Sequence, residues 1–119
     1  MTVSERAFQV WPVLTLCASK RLILIYDELS RLINVPLPGL GQLLEPIQSY
    51  CLLNKKPALT SIVVKGITGV PGAGFIAAEN VPLAQAQVYN YDWSNIAPSP
   101  KDFANALSQL PSRNQIPTG

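Results

Sequence analysis

Residues Ala58 to Phe75 read ALTSIVVKGITGVPGAGF, and the reading of this stretch decides the fold. Leu59 to Lys65 is a short, β-branched apolar run fit for a buried strand. Leu59, Ser61 and Val63 point to one face and Thr60, Ile62 and Val64 to the other. Both faces carry apolar groups, which predicts a strand covered on both sides. Gly66 to Gly74 is a Gly/Pro-rich turn, and the run resumes at Phe75-Ile76-Ala77. The glycines at 66, 69, 72 and 74 are of the kind that cradle a phosphate on backbone N–H groups. Their spacing fits neither a Walker loop nor a dinucleotide fingerprint, and no helix clearly follows them. The simpler expectation is a hairpin: strand, turn, returning strand.

Upstream, the pattern is helical. Thr2 to Ser4 offers N-caps with Glu5 in the first turn. Ala7, Val10, Trp11, Leu14 and Cys17/Ala18 then form an apolar stripe, with Trp11 as a core anchor. Pro12 inside this helix predicts a kink or a late start. Lys20-Arg21 ends it, and Leu22 to Tyr26 suits a short strand. A second helix starts at Tyr26 or Asp27, buries Leu29, Leu32 and Ile33, and stops at Asn34. Val35-Pro36-Leu37-Pro38-Gly39 breaks the chain. The third helix runs from Leu40 to Leu53 on Leu43, Leu44, Ile47, Tyr50 and Cys51, with a kink or restart at Pro46. Asn54-Lys55-Lys56-Pro57 terminates it.

Downstream, Val81 to Val88 suits a short helix with Pro82 in its first turn. Tyr89-Asn90-Tyr91-Asp92-Trp93 is an aromatic cluster, read either as a strap over the core or as a surface for a base or a partner. Ser99 caps a last helix with Pro100 at its first position and Phe103, Ala106, Leu107 and Leu110 inside. The expected architecture is α+β and mostly helical: a winged helix-turn-helix-like three-helix core with a small β-hairpin wing and a C-terminal helix. Residues 1–110 form a single domain, and 111–119 a flexible tail.

Composition narrows the chemistry. Charged residues are only 13% of the 119, below the roughly 25% usual for globular domains. Some exposed apolar area is therefore expected, and with it an interface, a homodimer among the options. No apolar run approaches the roughly 18 residues of a membrane span. No basic segment precedes an apolar core and cleavage site, so a cytoplasmic protein is expected. Cys17 and Cys51 sit in apolar helical settings and are read as free buried thiols, with a disulfide as the alternative. Histidine is absent, which excludes Ser-His and Cys-His catalysis and His-ligated metal. Asp27 and Glu28 are adjacent and cannot share a helix face as a catalytic pair. Asp92 meets Glu79 or Lys65 only through the fold. The expectation is a non-enzymatic domain with no cofactor and no metal.

Phe8-Gln9-Val10-Trp11, then Ile25-Tyr26-Asp27-Glu28-Leu29-Ser30-Arg31-Leu32-Ile33, resembles the DNA-binding domain of the O6-alkylguanine-DNA alkyltransferases. That family has Phe-Gln and Val-Trp pairs, then a Thr-Tyr-Gly-Glu-Leu-Ala segment at a similar distance. Asn54 and Pro57, followed by Val63-Val64 and the Gly-rich turn, are similar to its active-site stretch. The resemblance spans about residues 8 to 75 and implies a winged-helix fold. The family's Pro-Cys-His-Arg motif, expected near Ser61-Ile62-Val63, is missing, so alkyl transfer is not implied. Its recognition-helix arginine has no counterpart in Leu40 to Leu53.

Two functions follow as expectations. The first is DNA binding through the third helix and hairpin, with Gln42 and Gln48 reaching base edges and Lys55, Lys56 and Lys65 on phosphates. Lys20, Arg21 and Arg31 would extend that patch. Net charge is only +2, and Glu45 stands in the reading helix. The alternative is a protein-interaction module, such as an inhibitor, an immunity protein or a phage or mobile-element antagonist of host defence. It would present Tyr89, Tyr91, Trp93 and the Val35–Leu40 loop.

Overall fold

The computed structural model describes residues 2–66, 69–72, 75 and 79–109. Helix α1 (Val3–Ser19) is followed by β1 (Leu24–Ile25), α2 (Tyr26–Ile33), a 3₁₀ turn (Leu37–Gly39) and α3 (Leu40–Leu53). A second 3₁₀ turn (Leu59–Ile62) leads into β2 (Val63–Val64), then α4 (Val81–Tyr89) and α5 (Pro100–Gln109). The chain is thus a mostly helical α+β protein with a two-stranded sheet. Among the described residues no helix is long and apolar enough to cross a membrane.

The helix ends follow from their capping residues. The Thr2 hydroxyl accepts the Glu5 N–H at 3.1 Å, and the Glu5 carboxylate accepts the Thr2 N–H at 3.0 Å. Those bonds hold the Glu5 carboxyl below its usual range. Asn80 caps α4 through Leu83 N at 3.1 Å. Ser99 and Asp102 exchange a reciprocal pair of bonds at the start of α5. Both prolines within helices sit in unbroken runs: α1 continues through Pro12 and α3 through Pro46, with no restart.

The opening stretch departs from the sequence reading in conformation but not in burial. Leu59 to Val64 are all buried. Leu59 to Ile62, however, coil into a 3₁₀ turn, and only Val63-Val64 are extended. A short apolar run marks a buried segment without separating strand from turn. The sheet also differs. β2 pairs with β1 in parallel, Leu24 opposite Val63 and Ile25 opposite Val64. Parallel neighbours need a crossover, which α2 and α3 supply. The two described strands are therefore not the arms of a hairpin. The expected return at Ile76-Ala77 lies outside the described residues, as do Leu110 and the tail.

Beyond β2 the chain closes a small loop, with Lys65 N–H donating to Val70 O (2.8 Å) and Gly69 N–H to Lys65 O (2.7 Å). Gly72 N–H donates to Tyr26 Oη at 3.1 Å. A Cβ at position 72 would lie 2.7 Å from that oxygen, so only glycine lets the loop approach α2 this closely. The N–H groups of Gly69 and Gly72 are thus already engaged within the chain.

The three helices that pack pairwise are α1, α3 and α5. The C-terminal helix, rather than α2, completes the three-helix core, because α2 fully buries only Leu29. α3 is the most covered of the helices. Leu40, Leu43, Leu44, Pro46, Ile47, Gln48, Ser49 and Cys51 are all inside. Trp11 joins these layers, with its ring centroid 5.6 Å from Tyr50, 5.6 Å from Trp93 and 5.7 Å from Phe103.

Cys51 shows how dry this core is. Loss of solvent pushes its thiol up to about 12, against the weaker opposing pull of Lys56 and a Leu59 backbone bond. The folded value lies above the free value of 9.0, so the neutral thiol stabilises the fold below about pH 9. That contribution is lost as pH rises towards 12. Thermal melts are expected to show stability falling across this alkaline window, with a shallower fall in Cys51→Ala. Cys51 should also resist a thiol reagent in native buffer and react in denaturant; fast native labelling would contradict the burial.

Candidate functional site

The C-terminal ends of α1 and α3 share an unusual feature. Each closes with a residue in the left-handed region, Arg21 at φ 56° and Lys55 at φ 53°. At α1, Arg21 N–H bonds Ala18 O and Leu22 N–H bonds Cys17 O. At α3, Lys55 N–H bonds Leu52 O and Lys56 N–H bonds Cys51 O. This double-bonded helix ending normally takes glycine, because a Cβ in that conformation crowds the following carbonyl. Asn34 ends α2 in the same way at φ 55°, but asparagine tolerates it. Two cations thus stand where glycine would cost least.

Both cations border one shallow depression. Its lining is Lys55, Lys56, Pro57, Gln87, Asn90 and Tyr91. Arg21 reaches its edge, with Nη2 donating to Asn90 Oδ1 at 2.8 Å. Lys56 Nζ lies 3.5 Å from Tyr91 Oη and 5.9 Å from the centre of that ring. Among the described residues no carboxylate lines the depression. Its polar groups are ammonium, amide and phenol, a set suited to an anion flanked by hydrogen-bonding edges.

Tyr91 forms the wall between this depression and a second one, lined by Pro12, Thr15, Leu16, Ser19, Tyr91, Asp92, Trp93 and Ser94. The Tyr91 and Trp93 rings lie 4.7 Å apart. Trp93 is buried, and its Nε1–H donates to Val88 O at 3.0 Å. The Asp92 carboxylate is tied to Ser94, to Oγ at 2.6 Å and N at 3.0 Å, which holds its carboxyl below the usual range. Its described partner is therefore Ser94, not Glu79 or Lys65.

The residues singled out by sequence do not form one cluster. Lys55, Lys56 and Tyr91 come together. Gln42 is exposed near the start of α3, on the order of 20 Å from Lys55 along the helix axis. Lys65 is exposed in the loop after β2 and does not line the depression. Gln48 is only 6% exposed and faces inward. It lines a cleft of about 40 Å³ with Tyr26, Gly41, Leu44, Glu45, Thr60 and Phe75. Burial beside that cleft pushes the Glu45 carboxyl up. Tyr89 is half-buried, with a phenol oxygen that has no hydrogen-bond partner among the described residues. Of the aromatic trio, Trp93 belongs to the core and Tyr91 to the surface.

Gln87 and Asn90 join the depression without any mark in the linear pattern. They reach it because α4 ends beside the C-terminus of α3. The signal for Arg21 was its place after a helix, where glycine would be usual. Among the described residues no three Cys, Asp or Glu side chains gather as a metal set. Comparison of the chain with family models, curated proteins and solved structures returns no match.

Proposed function

We propose that this protein is a non-enzymatic DNA-binding domain whose principal contact is the depression at the C-terminal ends of α1 and α3. The observation that carries the reading is the gathering of Arg21, Lys55 and Lys56 around Asn90 with no carboxylate in the lining. Those cations would take backbone phosphates, and Gln87 and Asn90 the sugar or base edges. Gln42 and Lys65 form a second, more distant pair of contacts. A helix-turn-helix origin for the core accords with the order α2, turn, α3. The α3 termini, rather than a central reading face, would then meet DNA, because the middle of α3 is covered.

The left-handed cations supply a test that separates binding from folding. Arg21→Gly/Lys55→Gly removes two charges and relieves a conformation that costs about 1–2 kcal/mol for a residue with a side chain. It also loses an attraction to the helix ends of about 0.3–1 kcal/mol each. The variant should therefore melt at or above the wild-type temperature. In a salt series on duplex DNA, the slope of log affinity against log salt should fall by about two. Wild-type protein that does not bind DNA at about 50 mM salt, where phosphate contacts are strongest, would sink this reading.

The interaction-module reading draws on a different surface. Phe8 and Leu16 lie on the outer side of α1 and are 49% and 57% exposed. With Pro12 between them they form an i, i+4, i+8 apolar row beside the second depression. Capture of a host protein that is lost in Leu16→Glu would favour it.

A further inference from the structure

We infer that the DNA bound here carries unpaired bases, and that Tyr91 is the platform on which one of them stacks. The inference rests on the DNA-binding reading and goes beyond it, because it names the form of the nucleic acid. A rigid duplex backbone asks for a row of cations and offers no base face. This depression has a different composition: cations on one side, two amides at the rim and an aromatic ring as its wall. That is the combination by which single strands are held, with phosphates on basic groups and bases on π-faces.

Tyr91 is placed for the task. It follows the end of α4 and is 36% exposed, although its neighbour Trp93 is buried. Trp93 backs the ring at 4.7 Å and is itself fixed by its bond to Val88 O, so the platform has a firm base. The Lys56 ammonium stands off the hydroxyl edge of the ring, not over its face. At 5.9 Å from the centre and 3.5 Å from the phenol oxygen, it sits at the outer limit of both interactions. A long, flexible lysine leaves such a position at little cost. An arriving base would take the ring face, and Lys56 would turn to the adjoining phosphate.

The far side of Tyr91 supports the same direction of strand. There the wall is Pro12, Leu16 and Trp93, with Asp92 held by Ser94. That side sets the Asp92 carboxylate and the Thr15, Ser19 and Ser94 hydroxyls beside its apolar groups, with no cation in its lining among the described residues. Phosphate on the Lys55/Lys56 side and base or sugar over Tyr91 is thus the arrangement that sets the negative charge beside the cations.

The test compares oligo(dT) of about 12 nucleotides with a blunt hairpin duplex of equal charge, by anisotropy at fixed low salt, for wild type, Tyr91→Ala and Tyr91→Phe. Wild type should bind the single strand more tightly. Tyr91→Ala should lose about five- to hundredfold on oligo(dT) and with it the preference over duplex. Tyr91→Phe should keep that preference, since the ring rather than the hydroxyl does the stacking. Duplex binding as tight as single-strand binding, with Tyr91→Ala indistinguishable from wild type, overturns the inference but leaves DNA binding standing. Failure of both ligands to bind removes the two readings together. Displacement of oligo(dT) by poly-glutamate at equal charge concentration would overturn the inference in favour of an acidic protein partner.

Discussion

Trp11→Ala is expected to cost about 3–5 kcal/mol, a large share of the roughly 5–15 kcal/mol that a domain of this size holds in total. Among the described residues, Trp11 is the one side chain whose ring meets rings from three other parts of the chain. It meets Tyr50 of α3 edge-on at 87°, Trp93 of the loop after α4 at 80°, and Phe103 of α5 at 50°. Its Nε1–H donates to Ile96 O at 3.2 Å, which fastens the segment that leads into α5. Removing the indole opens a cavity among three large rings and leaves the Ile96 carbonyl without that donor. Tyr50 and Phe103 also touch each other at 5.7 Å, so the hole cannot close by a single ring moving inward. Trp11→Phe keeps a ring but not the hydrogen bond and should lose less than half as much. Urea unfolding followed by far-UV circular dichroism measures both. A loss under about 1 kcal/mol for Trp11→Ala would mean that the cluster is not what joins the helices.

The same residue shows what the sequence could reveal. An indole at the stripe position of α1 identifies a core anchor without saying what it touches. The ends of elements were legible wherever a capping residue sits beside a proline or an apolar stripe. Leu40 to Leu53 forms the helix expected of it, and Ser99-Pro100 starts α5 as expected. Pro12 and Pro46 do not interrupt α1 and α3, because the penalty of an internal proline is local and tertiary burial along both helices outweighs it. The direction of strand pairing was not legible. Val63-Val64 has the same composition whether its neighbour runs parallel or antiparallel, and the neighbour Leu24-Ile25 lies well back along the chain. The candidate site was half legible. Lys55 and Lys56 stand out after a helix, and Tyr91 in an aromatic run. Their meeting with Arg21 and Asn90 depends on the ends of α1, α3 and α4 converging, which no local pattern encodes.

Ile62→Ala is the prediction that decides what the Leu59–Val64 stretch is for. Ile62 and Leu59 are both completely buried, and the turn they belong to packs against α1, α3 and α4. Gln85 Nε2 of α4 donates to Ser61 O at 2.8 Å, so α4 is hung on this turn as well. Truncating either side chain should lose about 2–5 kcal/mol, the range for a large aliphatic group in a site that cannot collapse. The residues between them should behave in the opposite sense. Among the described residues Thr60 Oγ1 and Ser61 Oγ are buried with no hydrogen-bond partner, so each hydroxyl is desolvated without return there. Thr60→Val keeps the shape, removes that penalty and should raise stability by about 1 kcal/mol. A solvent-facing wing would respond differently, with Ile62→Ala costing little and Thr60→Val nothing. Denaturant midpoints of the three variants separate the two cases. If the core pattern holds, the stretch is the support that seats α3 and α4. The DNA contact proposed above would then use the ends of those two helices, at Lys55, Lys56, Asn90 and Tyr91, rather than the strand itself.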